Sequence, residues 1–358
     1  MKLVIQVPCL NEETTLPRVL GELPRRLDGF DEVEWLVVDD GSTDRTAEVA
    51  RALGVDHLVT LTSNRGLAAA FQAGLDAALK LGADVIVNTD ADNQYPASEI
   101  PRLVAPILEG RADMVVGDRQ VRTVEHFSAS KKVLQRLGSW VVRRASGTEI
   151  PDATSGFRAY NREAALKLQV VSNFTYTLES LIQAGSMQVA VEDVPISVNA
   201  ATRESRLVDS TRSYVLRNAL AVFRAYALYE PLRVFMVAAA LFTLGALGAW
   251  TPFLADWILN GDSSGHIQSL ILGAVLALAA VQMFALGVVG DALAGQRVMV
   301  QRVFERVRRL ELAAGVAPSH HERVGDGRDT HRGGRFEAGT RSDEDRAAEA
   351  PRTGSMAG

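Results

Sequence analysis

An α/β domain built on a largely parallel sheet, followed by two membrane-spanning helices, is the architecture this sequence predicts. Three observations predict it. From residue 1 to about 200, short β-branched runs alternate with helical periods, the pattern of crossover units on a parallel sheet. Val234 to Ala255 and Ile267 to Val289 carry no charge until their ends, and at about 20 residues each is long enough to cross a bilayer. Arg203, Arg206, Arg212, Arg217, Arg224 and Arg233 precede the first stretch, Arg297, Arg302, Arg306, Arg308 and Arg309 follow the second, and Asp256 to His266 between them holds no Lys or Arg. By the positive-inside rule both flanks are cytoplasmic and the linker is outside. A buried helical hairpin of a soluble protein is the competing reading, and the length and charge asymmetry disfavour it.

Taken in order, the candidate strands are Lys2 to Val7, Trp35 to Asp39, His57 to Leu61, Val85 to Thr89, Met114 to Gly117 and Val189 to Val198. Helical periods cover Thr43 to Leu53 and Leu67 to Leu81, the latter closed by Gly82, a residue suited to a helix C-terminus. Most of these strands run into polar or acidic residues, and in open α/β sheets ligands bind beyond the carboxyl ends of the strands. Those residues are therefore expected to line one crevice. Ser213 to Tyr229 places Tyr214, Val215, Ala219, Val222, Phe223, Tyr226 and Ala227 at near-helical spacing, which suits a helix in the headgroup region or an ordinary domain helix. The expected division is a catalytic domain over 1–209, a juxtamembrane amphipathic helix over 210–233, two spans over 234–290, a basic cytoplasmic helix over 291–312 and a disordered tail over 313–358. The tail is rich in Gly, Arg, Asp, Glu and Ser and poor in large apolar residues.

Bulk properties exclude little else. With 358 residues and an apolar fraction of 47% the chain has ample material for a core. A net charge of -5 provides no global basic field for nucleic acid, although residues 203 to 233 are basic. The single cysteine, Cys9, cannot form an internal disulfide and points to a reducing compartment. Leu3 to Val7 is shorter than the hydrophobic region of a signal peptide, so no secretion signal is expected.

Four strand ends carry candidate chemistry. Asp90-Ala91-Asp92-Asn93-Gln94 follows the apolar run Val85-Ile86-Val87, and two carboxylates one residue apart at a terminating strand can turn toward one crevice. A hard cation, Mg²⁺ or Mn²⁺, would hold them there and keep positions open for substrate phosphates. The spacing alone equally suits a turn cap, and context decides. Asp39-Asp40-Gly41-Ser42-Thr43-Asp44 ends the strand Trp35 to Val38 with a turn glycine, a helix cap and at least one Asp left to accept from a base N–H. Pro8-Cys9-Leu10-Asn11-Glu12-Glu13 forms a third end, and Asn64-Arg65-Gly66 a fourth, opening a helix rich in alanine whose N-terminus is a ready anion site.

In this order and spacing, Pro8-Cys9-Leu10-Asn11-Glu12, the Asp39 to Asp44 run, Asn64-Arg65-Gly66 and Asp90-Ala91-Asp92-Asn93-Gln94-Tyr95-Pro96 resemble glycosyltransferase family 2. Ala153-Thr154-Ser155-Gly156-Phe157-Arg158, Val194-Pro195-Ile196, and Arg203 with Ser205-Arg206-Leu207 extend the resemblance toward its polyprenyl-phosphate branch, the dolichyl-phosphate mannose synthase-like group with two C-terminal spans. The resemblance implies a GT-A fold and an inverting hexosyl transfer from a UDP- or GDP-sugar to a polyprenyl phosphate at the cytoplasmic face. It implies that Asp39 holds the base, that Pro8 and Glu12 line the nucleoside pocket, and that Asn11, Asp40, Asn64 and Gly66 belong to the same donor site. Asp90 would face the ribose and diphosphate or the metal, and Asp92 and Gln94 would ligate Mg²⁺ or Mn²⁺. Arg119, Ser155, Arg158, Arg203 and Arg206 would serve the acceptor, with Asp92, Arg119 and Arg158 carrying catalysis. Asp118 stands where relatives usually have Ser, and Arg206 where they more often have Lys.

Such an acceptor already bears negative charge and needs no strong general base, so positioning and leaving-group stabilisation are expected to dominate. Another glycan or glycolipid acceptor, or a membrane protein that binds a nucleotide sugar without turnover, is the alternative; a homo-oligomer is left open. The Gln-x-x-Arg-Trp motif of processive synthases is absent, and two spans without internal charge argue against a transporter.

Overall fold

The computed structural model describes residues 1–120, 147, 149–170, 176–199, 230–261 and 266–324. Strand β1 (Lys2–Cys9) is buried along almost its whole length and forms the middle of the sheet, as expected for an apolar run covered on both faces. It pairs in parallel with β2 (Glu32–Asp39) on one side and β4 (Val85–Asn88) on the other. Beyond β2 lies β3 (His57–Thr60), also parallel. On the far side of β4 comes β6 (Arg158–Asn161), antiparallel to both β4 and β5 (Met114–Asp118), and β5 pairs in parallel with β7 (Val191–Pro195). With β8 (His321–Arg323) antiparallel on β3, the order is β7-β5-β6-β4-β1-β2-β3-β8. The chain winds outward from β1 to β3 and then starts again at β4, so the β1/β4 boundary is the topological switch where a ligand crevice is expected.

Helices cover both faces. Those around the sheet are α1 (Leu16–Glu22), α2 (Thr46–Ala52), α3 (Leu67–Lys80), α4 (Ile100–Leu108), α5 (Arg162–Lys167) and α6 (Tyr176–Ser186). One core joins Phe71 and Leu75 of α3 to Val38, Ile86, Tyr160 and Leu181. The other joins Leu16 and Leu20 of α1 to Trp35, Leu103 and Phe157. Small residues bring α3 close to the sheet: a Cβ at Gly74 would lie 2.6 Å from Gln6 Oε1 and 2.9 Å from Val38 Cγ2. Gly82 takes φ +85° just after α3, as a helix C-terminus favours.

Two further helices, α7 (Pro231–Asn260) and α8 (Ile267–Ala313), are long and apolar enough to cross a membrane, with mean hydropathy 1.9 and 2.3 and only 11% and 17% of their most apolar windows buried. A core helix of a soluble protein would instead be mostly covered. They pack as an antiparallel hairpin through small residues: a Cβ on Gly287 would approach Phe235 Cβ to 3.1 Å, and one on Gly290 would approach Pro231 Cβ to 2.7 Å. Close backbone approach of this kind is how helices associate where water provides no hydrophobic drive. Asp256 to Asn260 is helical, so the connection is shorter than the expected 256–266 linker.

Three expectations are corrected at this level. The basic helix over 291–312 is no separate element but the unbroken continuation of α8. The tail is structured as far as Val324. β6 takes its place inside the sheet where the sequence pattern indicated no strand, because its four residues are too few for a period. The juxtamembrane helix over 210–233, apart from its last residues, falls outside the described residues.

After its apolar part α8 returns to the domain. Arg308 Nη1 donates to the carbonyls of Leu168 at 2.5 Å and Leu166 at 3.4 Å, at the C-terminal end of α5, where a cation complements the carbonyl dipoles. Arg309 pairs with Glu163 at 2.6 Å, Lys80 with Glu311 at 3.1 Å and Arg51 with Glu322 at 2.8 Å. The ring nitrogens His57 Nδ1 and His321 Nε2 meet at 3.0 Å across β3 and β8. Arg308→Ala leaves buried carbonyls without a donor, and a loss of roughly 1–3 kcal/mol is expected, read as a lower thermal midpoint of the full chain in detergent. An unchanged midpoint would mean that this contact does not hold the C-terminal part of α8 to the domain.

Candidate active site

The strand ends of β1, β2 and β3 interlock through side chain to backbone hydrogen bonds. Asp40 Oδ1 and Oδ2 accept from the N–H groups of Arg65 and Gly66, each at 2.8 Å, tying the end of β2 to the start of α3. Asn11, in the left-handed region at φ 54°, donates its N–H to Ser42 Oγ at 2.9 Å and accepts from Thr43 N at 2.8 Å. Gly41 is required between them: it has φ +69°, and a Cβ there would lie 2.7 Å from the Asn64 nitrogen. Glu12 is buried and binds Thr15 Oγ1 through Oε2 at 2.5 Å. Pro8, Asn11, Glu12, Asp39, Asp40, Asn64 and Gly66 thus belong to neighbouring strand ends, Cys9 and Asp39 being register partners.

The two aspartates differ in what they have left to offer. Both carboxylate oxygens of Asp40 are engaged by backbone, whereas among the described residues only Oδ1 of Asp39 accepts a hydrogen bond, from Ser42 N at 2.9 Å. Asp39 is 3% exposed. A buried carboxylate oxygen facing a crevice is a strong acceptor for a neutral N–H donor.

One sheet position over, Asp90 follows β4 and lies against Gly156, which precedes β6. A Cβ at Gly156 would be 2.8 Å from Asp90 Oδ2 and 2.7 Å from Tyr176 Oη, so only glycine lets this backbone come so near. Burial, and then the like charge of Asp92, push the Asp90 carboxyl up to about 7, against the opposing pull of Arg119 and Arg158. Asp92 Oδ1 accepts from Gln94 N at 3.0 Å across Asn93, which has φ 59°. Asn199, just after β7, braces the same loop, its N–H on Gln94 O at 2.9 Å and its amide on Asn93 O at 3.0 Å.

Surplus negative charge on two neighbouring carboxylates is what a divalent cation relieves. Among the described residues no group of three or more His, Cys, Asp or Glu is arranged to hold a metal. Two carboxylates and the Gln94 amide offer oxygen alone, which fits a hard ion that keeps positions for substrate phosphates and fits zinc poorly.

Just after β5, Arg119 makes a two-pronged contact with Asp152, 2.7 Å from Nε to Oδ2 and 3.0 Å from Nη2 to Oδ1, and a third bond to Thr154 Oγ1 at 2.8 Å. Asp152 is 3% exposed; burial alone would raise its carboxyl, but the bonds to Arg119 hold it below the usual range.

Ser155 and Arg158 do not present side chains to the crevice, which corrects the expectation that they meet the acceptor. Both are fully buried. The Arg158 guanidinium donates to Ser155 O, Thr177 O, Ser180 Oγ and Ala153 O at 2.7 to 2.8 Å. It lies on the inward face of a sheet-interior strand and holds the 153–155 loop to α6. Arg203 and Arg206 lie outside the described residues.

Several site residues escape the sequence reading. Gln6 Nε2 donates to Asn88 Oδ1 at 2.8 Å, and the Asn88 amide donates to Gly156 O at 2.8 Å and to Tyr176 Oη at 3.2 Å. This buried chain carries β1 through β4 to the glycine beneath Asp90. The signal was present: Gln6 and Asn88 are polar residues inside apolar strands, and they are register partners. Asp152 had no such signal, since its partnership with Arg119 spans a long stretch of chain.

The family model for glycosyl transferase family 2 matches residues 4–168. Polyprenol monophosphomannose synthase of Mycolicibacterium smegmatis is 32% identical over 205 residues, covering 54% of this chain and 76% of that protein. Undecaprenyl-phosphate mannosyltransferase of Micrococcus luteus is 30% identical, with 55% and 83% covered. Dolichyl-phosphate hexose transferase of Haloferax volcanii is 32% identical, with 57% and 86% covered. A crystal structure of glucosyl-3-phosphoglycerate synthase from Mycobacterium tuberculosis, in complex with Mn²⁺, uridine diphosphate and glucosyl-3-phosphoglycerate, superposes with a TM-score of 0.49 at 24% identity, covering 63% of this chain and 79% of that one. The polar ends of β1 to β5 gather at one edge of the sheet, the matched segment contains them all, and the chain belongs to glycosyltransferase family 2.

Proposed function

We propose that this glycosyltransferase moves a hexose-type sugar from a UDP- or GDP-sugar to a polyprenyl phosphate at the cytoplasmic face of the membrane. The observation that carries the reading is the pairing of Asp90 and Asp92 at the end of β4, with Arg119 near enough to oppose their charge and two long, exposed apolar helices in the same chain. Two of the relatives described above are named for transfer to a polyprenyl or undecaprenyl phosphate acceptor, which supports the lipid phosphate over a soluble glycan. The basic flanks outside both spans support the cytoplasmic orientation.

In this reading Asp39 accepts from the base, with Pro8 and Glu12 beside it, and the Asn64 to Gly66 turn, held by Asp40, sets the N-terminus of α3 toward the diphosphate. Asp40 acts only by holding that turn. Asp90, Asp92 and Gln94 hold Mg²⁺ or Mn²⁺, which when bound supplies charge neutralisation to the departing diphosphate. Arg119, oriented by Asp152 and Thr154, stands where the acceptor phosphate must enter, and a guanidinium suits that anion. A phosphate monoester oxygen attacks the anomeric carbon as the C–O bond to the diphosphate breaks, in line, so the configuration inverts. The chain's work is to align the two and exclude water. Purified protein offered labelled UDP- and GDP-sugars with polyprenyl phosphate tests the reading: lipid-extractable label supports it, and transfer only to a protein or soluble glycan would overturn it.

Asp92→Asn should abolish transfer while leaving the fold intact. Activity within about threefold of the parent, under about 1 kcal/mol of transition-state stabilisation, would remove Asp92 from the metal site. EDTA should have the same effect, reversed by Mg²⁺ or Mn²⁺. Arg119 and Arg158 should separate cleanly. Arg119→Ala is expected to raise the KM for the lipid acceptor or lower kcat, with nucleotide binding in the absence of acceptor little changed. Arg158→Ala is expected to lower the thermal midpoint, because four buried acceptors lose their donor. Loss of nucleotide binding in Arg119→Ala would move that residue to the donor side.

A further inference from the structure

α8 is a single helix from the apolar hairpin to the back of the catalytic domain, and its contacts fix its direction. Arg308 lies 3.9 Å from Asp76, and Glu311 lies 3.1 Å from Lys80. The order along both helices is the same, so α8 and α3 run in the same sense. Phe304 and Val307 line one cleft with Ala68, Ala69 and Gln72, consistent with that register. α3 begins at the catalytic edge, where Gly66 closes the loop held by Asp40, and ends at the opposite edge with Lys80. α8 therefore passes the catalytic edge first and the back edge last. Its apolar part lies on the side toward which the crevice opens.

Distance follows from helix geometry. Asp76 is level with Arg308, so Gly66, about ten residues earlier, is level with the region of Val298, which stands roughly 13.5 Å beyond Val289 at about 1.5 Å per residue. Between Gln296 and Ala313 there is neither Gly nor Pro, the usual causes of a bend. The far end is locked by Arg308 on the α5 carbonyls, Arg309 on Glu163, Glu311 on Lys80 and β8 on β3.

We propose that α8 is a strut that sets the height and facing of the catalytic crevice over the bilayer, with Arg308, Arg309 and Glu311 as its positioning residues. This rests on the reading that the acceptor is a membrane-held polyprenyl phosphate. The phosphate of such a lipid stays at the interface, and its oxygen must come within about 3–3.5 Å of the anomeric carbon. A crevice held too high reaches it only by drawing isoprenoid into water, which is opposed by the hydrophobic effect.

The test lengthens the strut without touching the catalytic residues. Seven helix-forming residues inserted between Gln296 and Arg297 add about 10 Å with a net rotation of only about 20°. The full chain in vesicles would be assayed with long-chain polyprenyl phosphate in the bilayer and with a short, water-soluble isoprenyl phosphate. Transfer to the bilayer acceptor should fall at least about tenfold while transfer to the soluble one stays within about twofold, since misplacement of an ångström already costs about that much or more. A flexible Gly/Ser insert of the same length should show the same selectivity. Equal rates on both acceptors after insertion, or an equal fall on both, would overturn the strut. Parent protein inactive on both acceptors would instead overturn the polyprenyl phosphate reading, and the strut with it.

Discussion

The half-buried carboxyl of Asp90 is the constraint around which the crevice is organised. Its carboxylate follows a central strand and is pressed against the backbone at Gly156, with the like charge of Asp92 beside it and two arginines opposing. Like charges this close are tolerated where a cation or a partner compensates them. Every neighbouring device follows from holding that carboxylate still: the Gln6–Asn88–Tyr176 chain fixes Gly156, Arg158 fixes the 153–155 loop, and Asn199 fixes the loop that carries Asp92. The preorganisation lies in the backbone and in buried polar side chains more than in the residues that would touch substrate.

The site is also tied to the membrane segment. The catalytic domain is gripped by the last turns of α8 and by β8 on the edge of the sheet. The two long helices are therefore more than an anchor trailing from a soluble enzyme. Their hairpin is closed by glycines that admit Phe235 and Pro231, and its second helix is also part of the domain's own packing.

Much of this was legible in the sequence, and the rest was hidden for physical reasons. The parallel strands announced themselves as buried β-branched runs, and the acidic ends after Val38 and Val87 marked the crevice. β6 was hidden because four residues give no period, and its placement inside the sheet decides that Arg158 faces inward. A motif arginine reads as an anion contact when only the one-dimensional pattern is visible; its four acceptors within the fold appear only in three dimensions. β8 lay in a stretch of biased composition, and its order depends on β3 and the His57–His321 contact. Asp40 and Asp39 look equivalent in sequence, and only the bonds to Arg65 and Gly66 distinguish a clamp from a free acceptor.

The proposed joining of the sugar to a lipid phosphate by inverting displacement leaves a specific mark in the product. The most direct measurement uses a nucleotide sugar labelled with carbon-13 at the anomeric position and follows the organic-phase product by NMR. The expected result is coupling between the labelled carbon and phosphorus, with anomeric configuration opposite to the donor. Label attached to a hydroxyl oxygen, or a phosphate-linked product with retained configuration, would contradict it.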